Sequence, residues 1–532
     1  MLEDAGIDLI FTCPGTTEVP LLDASVKRES GPKIMLTTHE GVAVSAADGY
    51  SRATGKIGVA LLHANVGLAN GLAMVEAAKQ GRSRVLILNG TKPIANRNKR
   101  GFTQTADSVA IARPFTVQST CISNSDSFYW DALNALNRLH QLDRGPVYLE
   151  LPQDILADST YLESNVGQLQ VAHTRPSKSS MSRVPEMLQN AKQIAVVTGS
   201  DLSETESQLA VRLAETLNSP IFEAPWRELE RDTVSTKHPA YAGVLSFGAQ
   251  HITGTTMIVI GTPAFQEPDE SPNILEQANG VIHVVNSFTD TIPGALILAG
   301  DFEESLSELQ TVAETCQVKS PEAYLSQTRQ DYQSLISEAL PEETSAPLTV
   351  LDVANFLGGY RLTGPIVLDA VTASAAVLKL TPRGPEQRFF ATGSGALGWG
   401  TGAAVGVAMS GHHDRIFAIV SDGVLQFGIQ ALHTAVAEQL PITFIVINNR
   451  AYHAVSLALQ KFSGEASQRD LYPCTQLGDT KLSVIASGYG LASERVTNIG
   501  ELDIALNDTL HHSGPTMVEV VMSTDKAGNT AR

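Results

Sequence analysis

The chain has 532 residues, of which 43% are hydrophobic and 17% are charged. This balance is typical of globular proteins and excludes a mainly disordered chain, and the length predicts about three domains. The formal net charge of -19 argues against binding to nucleic acid or to an anionic membrane, because both require a basic surface. Four widely spaced cysteines without a C-x-x-C pair predict neither zinc nor disulfides and favour a cytoplasmic location.

Short apolar segments alternate with helical segments in the first part of the chain. The predicted strands there span 8–12, 34–37, 58–63, 85–88 and 145–152. An alanine-rich segment at 41–54 predicts a helix between the second and third of them. Such alternation predicts a parallel sheet that helices cover on both faces.

Two further blocks show the same alternation. Their predicted strands span 193–199, 257–261, 280–285, 365–368, 388–391, 416–420, 442–447 and 517–521. We therefore predict an α/β fold with three doubly wound parallel-sheet domains, at residues 1–160, 183–320 and 345–525. The polar segment 159–182 is predicted to be a linker, and 523–532 a loose tail.

A glycine-rich segment suggests one cofactor. Gly393–Gly398 matches the G-x-G-x-x-G fingerprint of dinucleotide-binding proteins, and Asp422 follows at the end of the next predicted strand. The fingerprint is weak by itself. It leaves an NAD-binding or non-catalytic α/β protein as an alternative.

Asp422 also begins a second pattern. Ser421-Asp422-Gly423 leads directly into a predicted helix, and the next strand ends in Asn448-Asn449. One strand–helix–strand unit places both segments at the same carboxyl edge of a sheet, where ligands of open α/β sheets bind. Carboxylate and amide oxygens suit Mg²⁺ that also holds phosphate, and the helix N-terminus adds N–H donors. The structural alternative is a helix cap at Asp422 and a turn at the asparagines.

These residues resemble the thiamine diphosphate motif, in which G-D-G is followed by N-N after one such unit. Two segments of the first block fit the same family. His39-Glu40-Gly41, followed by Ala47–Gly55, is similar to the pyrimidine-binding helix of acetolactate synthases and 2-oxo acid decarboxylases. His63 stands where benzoylformate decarboxylases carry a catalytic histidine. A capping box formed by Thr37 and Glu40 is the structural alternative for the first of these segments.

The resemblance implies an enzyme with thiamine diphosphate and Mg²⁺ as cofactors. It also implies a homodimer or homotetramer with each active site between two subunits. Glu40 would activate the cofactor, His63 would act as acid and base, and the Thr16 hydroxyl would hold the substrate carboxylate. The implied cofactor contacts are Glu40, Thr372, Gly395, Leu397, Asp422, Gly423, Val424, Asn449 and Tyr452. The implied metal ligands are Asp422, Asn449 and the backbone carbonyl of Ala451. The implied substrate pocket is lined by Thr16, Phe102, His453 and Val455.

His63 favours one reaction class within the family. A well-placed proton donor favours release of an aldehyde, so we expect non-oxidative decarboxylation of a small 2-oxo acid. The alternative is a carboligase of the acetolactate synthase type. Two positions depart from the family pattern, because Ser421 replaces the first glycine of G-D-G and Val424 replaces a small or hydroxyl residue. For Phe102 and Val455, plain core packing is the structural alternative.

Overall fold

The structure is a computed structural model. It describes all residues except 28–30, 98, 100, 142–143, 159–172, 225–233, 248, 263–276, 289–290, 342–346, 361, 385–386, 412–414 and 523–532. The predicted tail and most of the predicted linker therefore lie outside the described residues. No helix in the described ranges combines the length and the apolarity needed to cross a bilayer.

The first sheet and its helices are built from the N-terminal part of the chain. Its strands are β1 (Leu9–Thr12), β2 (Lys33–Leu36), β3 (Gly58–His63), β4 (Val85–Thr91), β5 (Gln118–Cys121) and β6 (Val147–Pro152). Its helices are α1 (Val19–Val26), α2 (Glu40–Thr54), α3 (Ala64–Gln80), α4 (Ser108–Ala112), α5 (Phe128–Leu139) and α6 (Gln153–Ala157). The strand order is β2-β1-β3-β4-β6-β5.

The second sheet lies in the middle of the chain. Its strands are β7 (Ile194–Thr198), β8 (Ile221–Glu223), β9 (Tyr241–Val244), β10 (Thr256–Ile260), β11 (Gly280–Val285) and β12 (Leu296–Ala299). Its helices are α7 (Lys178–Met181), α8 (Val184–Gln189), α9 (Glu204–Thr216), α10 (Phe302–Cys316) and α11 (Glu322–Ala339). The strand order is β12-β11-β10-β7-β8-β9.

The third sheet closes the described chain. Its strands are β13 (Ile366–Asp369), β14 (Phe389–Ala391), β15 (Ile416–Ser421), β16 (Ile442–Asn448), β17 (Ala492–Val496) and β18 (Thr516–Val521). Its helices are α12 (Val350–Gly359), α13 (Ser374–Leu380), α14 (Trp399–Ala408), α15 (Asp422–Gly428), α16 (Ala431–Ala437), α17 (His453–Phe462), α18 (Glu465–Gln468), α19 (Leu482–Tyr489) and α20 (Ile499–Leu510). The strand order is β14-β13-β15-β16-β18-β17.

Within the described residues all neighbouring strands of the three sheets pair in parallel. The predicted fold class, α/β with three doubly wound parallel sheets, is confirmed. The predicted domain limits stay predictions, because sheets locate the cores of domains and not their ends.

The first and third sheets share one topology. The chain turns from one side of the sheet to the other between β1 and β3, and again between β13 and β15. Such switch points leave a crevice at the carboxyl ends of the strands, where ligands of open α/β sheets bind. The loops that follow these four strands are therefore the first places to look for a site.

Helices α2 and α14 join the first and third sheet units. They contribute to one continuous apolar core that contains Val42, Ala46, Ala403 and Val407. Small residues line the crossing, and a methyl group at Gly49 would lie only 2.3 Å from the Ala403 carbonyl oxygen. The two units therefore pack as one body, with their backbones in close contact.

Candidate active site

Glu40 is the first residue of helix α2 and is buried. The helix is capped by His39, whose Nδ1 accepts a hydrogen bond from the Gly41 amide at 3.0 Å. The Thr37 hydroxyl donates to the His39 carbonyl instead. The capping-box alternative is therefore wrong, and the Glu40 carboxylate does not cap the N-terminus of the helix. Asn70 Nδ2 donates to Glu40 Oε2 at 3.1 Å, which holds the carboxylate near the start of α3.

His63 ends strand β3 at the switch point of the first sheet. Its Nδ1 lies 2.9 Å from the hydroxyl of Thr17 and 3.1 Å from Glu18 Oε2. Thr16, the predicted carboxylate-binding residue, is exposed in the same loop, and its carbonyl accepts a hydrogen bond from Gln153. Sequence reasoning missed both buried partners of His63, although they directly follow the predicted loop.

Three residues with a left-handed backbone conformation follow strands of the first and third sheets. Ala64, Val371 and Arg450 have φ of 51°, 49° and 61°, and they follow strands β3, β13 and β16. This conformation costs roughly 1–3 kcal/mol for a residue with a side chain, and such residues cluster at functional sites. These are three of the eleven non-glycine residues with positive φ in the described chain, and they lie at the edges that the sheet topology indicates.

Asp422 begins helix α15 at the end of strand β15 and is buried. Burial raises the pKa of its carboxyl to about 6, although hydrogen bonds from the backbone amides of Gly423 and Arg450 oppose this shift. No lysine or arginine among the described residues forms an ion pair with Asp422. A buried carboxylate without a cationic side chain is a suitable ligand for a metal ion.

The loop after β16 lies beside Asp422. Strands β15 and β16 pair with Ser421 opposite Ile447, so the predicted meeting of Asp422 and Asn449 at one sheet edge has the required strand geometry. Asn449 Oδ1 accepts a hydrogen bond from the Ala451 amide at 3.1 Å. These residues offer a carboxylate, an amide oxygen and a backbone carbonyl, which are hard oxygen ligands.

Tyr452 and its neighbours anchor this loop. The Tyr452 amide donates to the Thr475 carbonyl at 2.7 Å. Its ring lies so close to Gly423 that a methyl group there would be 2.9 Å from Cε1. Asn448 Nδ2 donates to Glu519 Oε1 at 2.6 Å, which fixes the strand end just before Asn449.

The two departures from the family motif have structural roles. The Ser421 hydroxyl accepts a hydrogen bond from the Val424 amide at 3.4 Å and caps helix α15. The Val424 side chain is fully buried in the core shared by the first and third sheets. Only the backbone of Val424 is therefore available to a cofactor.

The other predicted cofactor residues surround the switch point of the third sheet. Thr372 lies in the short 3-10 helix Val371–Ala373 that follows β13. Gly395 is exposed, with open space where a side chain would stand, and Leu397 is half-buried against the shared core. Both precede helix α14, so they lie on the loop that leads into the contact between the two units.

The predicted pocket residues are not part of a core. The side chains of Phe102 and Val455 are 83% and 46% exposed, which excludes core packing for both. His453 begins helix α17, and its buried Nε2 has no hydrogen-bond partner among the described residues. Burial also lowers the pKa of His453. A buried ring nitrogen without a partner is available to a ligand.

The candidate residues form two clusters. One contains Glu40 and His63 at the edge of the first sheet, and the other contains Asp422 and Asn449 at the edge of the third. In the part of the chain that the structure describes, no hydrogen bond or ion pair joins the two clusters. We call each cluster a half-site.

Two domain models of one family match the chain in the order of these half-sites. The "Thiamine pyrophosphate enzyme, N-terminal TPP binding domain" matches residues 1–111, and the "C-terminal TPP binding domain" matches residues 370–520. The first match contains Glu40 and His63, and the second contains Asp422 and Asn449. The chain belongs to the thiamine diphosphate-dependent enzymes.

Relatives extend this membership over nearly the whole chain. A benzoylformate decarboxylase of Pseudomonas aeruginosa is 27% identical, with 98% of each chain covered. The acetolactate synthase isozyme 3 large subunit of Escherichia coli is 24% identical, with 96% of this chain and 90% of the relative covered. A thiamine diphosphate-dependent 4-hydroxybenzoylformate decarboxylase of Rhodococcus jostii RHA1 has the same fold, with a TM-score of 0.84, 23% identity and 99% and 98% coverage.

The family assigns the cofactor class as thiamine diphosphate. The dinucleotide-like segment Gly393–Gly398 lies within the C-terminal thiamine pyrophosphate match, so the family finding does not favour NAD. The enzyme is a member of the group that contains benzoylformate decarboxylases and acetolactate synthases.

Proposed function

We propose that this enzyme decarboxylates a small 2-oxo acid to an aldehyde without oxidation. The observation that carries the proposal is His63 at the switch point of the first sheet. Among the described residues its hydrogen bonds all involve Nδ1, which leaves Nε2 for substrate chemistry. The likeness to a benzoylformate decarboxylase over 98% of both chains supports the same reaction class.

Mg²⁺ fits the half-site of the third sheet. Asp422, Asn449 and the Ala451 carbonyl would hold the ion, and the buried Asp422 carboxylate has no cationic side chain beside it among the described residues. The backbone amides at the start of α15 would meet the diphosphate. Thr372 and Tyr452 lie on the loops beside these predicted metal and diphosphate contacts.

Thiamine diphosphate, when bound, supplies the electron sink that allows the carboxylate of a 2-oxo acid to leave as CO₂. Glu40 would hydrogen-bond the pyrimidine ring and exchange a proton with it, because it is a buried carboxyl at a helix start. The Gly395 carbonyl would accept a hydrogen bond from the same ring, and the half-buried Leu397 side chain would contact the cofactor.

The first loop would bind and orient the substrate. The exposed Thr16 hydroxyl would hold the substrate carboxylate, and His63 Nε2 would deliver a proton to the product. Phe102, His453 and Val455 would line the substrate pocket and select the side chain of the 2-oxo acid. The exposure of Phe102 and Val455 in a single chain fits residues that meet a ligand or another subunit.

We also propose a homodimer or homotetramer. The resemblance to the family implies active sites between two subunits, and Glu40 and Asp422 lie in different sheet units of this chain. The experiment is sedimentation of the cofactor-loaded protein at the concentrations used for activity. An active monomer would overturn this part of the proposal.

A carboligase of the acetolactate synthase type is the second candidate. It is favoured by the likeness to acetolactate synthases over 96% of the chain and by the His39-Glu40-Gly41 segment. The two candidates differ in the fate of the product, because protonation releases an aldehyde whereas attack on a second carbonyl gives an acyloin.

The deciding experiment measures products and CO₂ from aryl and alkyl 2-oxo acids in the presence of Mg²⁺ and thiamine diphosphate. We expect the wild type to release an aldehyde. In His63→Gln we expect aldehyde release to be lost, or the product to become an acyloin. CO₂ release with acyloin as the main wild-type product would support the carboligase. A protein that binds thiamine diphosphate but releases no CO₂ from any substrate would overturn both.

A further inference from the structure

Glu18 is a fully buried carboxylate in the loop between β1 and α1. Its Oε2 accepts a hydrogen bond from the Gly15 amide at 2.8 Å, and its Oε1 accepts one from the Thr17 hydroxyl. Both oxygens also face His63 Nδ1, at 3.3 Å for Oε1 and 3.1 Å for Oε2. A buried charge is energetically costly unless it is paired. The contact with His63 and the two hydrogen bonds therefore compensate the burial of the Glu18 carboxylate.

Two glycines, Gly15 and Gly90, lie against the side chains of Glu18 and His63. A methyl group at Gly15 would lie 2.2 Å from His63 Nδ1, and a methyl group at Gly90 would lie 2.2 Å from Glu18 Oε1. A side chain at either glycine would force the His63 ring or the Glu18 carboxylate to move from its present position. The backbones of β4 and of the first loop therefore close around the pair of Glu18 and His63.

The hydrogen-bond chemistry defines the proton on Nδ1. An ionised carboxylate only accepts hydrogen bonds, so a bare Nδ1 would place its lone pair against both oxygens of Glu18. An Nδ1–H donates to them instead. The Thr17 hydroxyl does not need Nδ1 as an acceptor, because its single hydrogen can go to Glu18 Oε1 or to the Gly90 carbonyl, which lies at 2.9 Å.

We propose that Glu18 is a positioning residue that holds His63 as the Nδ1–H tautomer, so that Nε2 is the nitrogen that exchanges protons at the active site. The inference rests on the proposed function of His63. A proton from solvent binds Nε2 and gives an imidazolium, whose charge the Glu18 carboxylate offsets. Nε2 then gives that proton to the product, and the ring returns to the neutral Nδ1–H form.

A double-mutant cycle separates this role from general support of the fold. Glu18→Gln keeps the size of the side chain but removes its charge, and we expect kcat for aldehyde release to fall about 100-fold, as for loss of an acid–base group. In a His63→Gln background the same change should lower kcat less than about twofold, because residues that act through one another are not additive. An equal loss in both backgrounds, or no loss in either, would overturn the proposal.

A spectroscopic readout tests the tautomer without any substrate. In protein labelled with ¹⁵N-histidine, the His63 signals are assigned by their loss in His63→Gln. We expect the wild type to show a protonated Nδ1 and a bare Nε2 at neutral pH, and Glu18→Gln to lose this preference, while Glu18→Asp retains it. The matched control is Glu150→Gln, a buried carboxylate in the same sheet that pairs with Arg97. A wild-type ring with a bare Nδ1, or an unchanged tautomer in Glu18→Gln, would overturn the proposal.

The two measurements distinguish two kinds of failure. If the wild type releases no CO₂ from any 2-oxo acid, the proposed function fails, and the tautomer experiment still tests the role of Glu18. If the wild type is active but His63 shows no dependence on Glu18, only the positioning role fails.

Discussion

The guanidinium of Arg52 donates to both carboxylate oxygens of Asp48 at 2.8 Å, and neither side chain is exposed to solvent. Trp399 Nε1 donates to the same carboxylate at 2.7 Å, and Arg52 Nη1 donates to the Ala391 carbonyl at 2.9 Å. Asp48 and Arg52 belong to helix α2, whereas Trp399 and Ala391 belong to the third sheet unit. This buried ion pair therefore connects the two units that carry the half-sites.

Replacing Arg52 tests the strength of that connection. We expect Arg52→Met to lower the free energy of unfolding by about 3–5 kcal/mol, because it leaves the Asp48 carboxylate buried without its cation. Urea unfolding followed by circular dichroism measures the change. The matched control is Arg469→Met, whose partner Glu465 and own side chain are 68% and 67% exposed, and it should cost less than about 1 kcal/mol. Equal losses would contradict the prediction.

Replacing Glu40 tests the shared cofactor chemistry. We expect Glu40→Gln to lower kcat for CO₂ release by about 100-fold or more, because the amide cannot exchange a proton with the cofactor. Thiamine diphosphate affinity, measured by calorimetry, should change far less than kcat. Full turnover in Glu40→Gln would rule out this role for both the decarboxylase and the carboligase.

Replacing Asp422 tests the metal half-site. We expect thiamine diphosphate to bind the wild type much more tightly with Mg²⁺ than with a chelator, and Asp422→Asn to lose most of that difference, because a neutral amide is a weaker ligand for a hard cation. Calorimetry with and without Mg²⁺ measures both affinities. Asp23→Asn is the control, since Asp23 is an exposed carboxylate in helix α1 of the first sheet unit that pairs with Lys27. A variant at Asp422 with an intact Mg²⁺ dependence would contradict the assignment.

Asp369 should make the stability of the cofactor-free protein depend on pH. It is buried at the end of β13, accepts a hydrogen bond from the Gly400 amide, and burial raises its pKa from 3.8 to about 6. Between these values the folded chain keeps a proton that the unfolded chain has lost, so the free energy of unfolding falls as pH rises. A shift of this size corresponds to about 3 kcal/mol over the whole window.

Asp369→Asn removes the titrating carboxyl group. The amide oxygen of the new side chain can still accept the hydrogen bond from the Gly400 amide. Relative to the wild type, the variant should therefore gain free energy of unfolding as pH rises from about 4 to about 7. Urea unfolding of both proteins at the two pH values measures the gain. A difference between the proteins that does not change with pH would show that Asp369 does not titrate in this window.

Sequence periodicity predicted the strands around the sites with few errors. Strands β3 and β11 span the predicted residues, and β15 and β16 extend one residue beyond them. Strand β5 was not predicted, because its four residues, Gln118–Cys121, are mostly polar or half-buried at the sheet edge and lack an apolar pattern. Strands β8, β9, β12 and β17 were also not predicted, because three to five residues give too little periodicity to detect.

The placement of individual side chains was less predictable. The sequence gives no sign that Val424 is buried in a core shared by two sheets, because that depends on how α2 and α14 cross. It also left Phe102 and Val455 open between core and surface, and only the packed chain shows that both are exposed.

The sequence by itself determined the family, and it predicted that Asp422 and Asn449 meet at one sheet edge, because adjacent parallel strands in one strand–helix–strand unit end at the same edge. It also determined that an acidic chain must hold an anionic cofactor locally. Only the tertiary structure decided that Glu18 is the partner of His63. These residues are 45 positions apart, and they meet because β1 and β3 are neighbours in a sheet whose order no local pattern records.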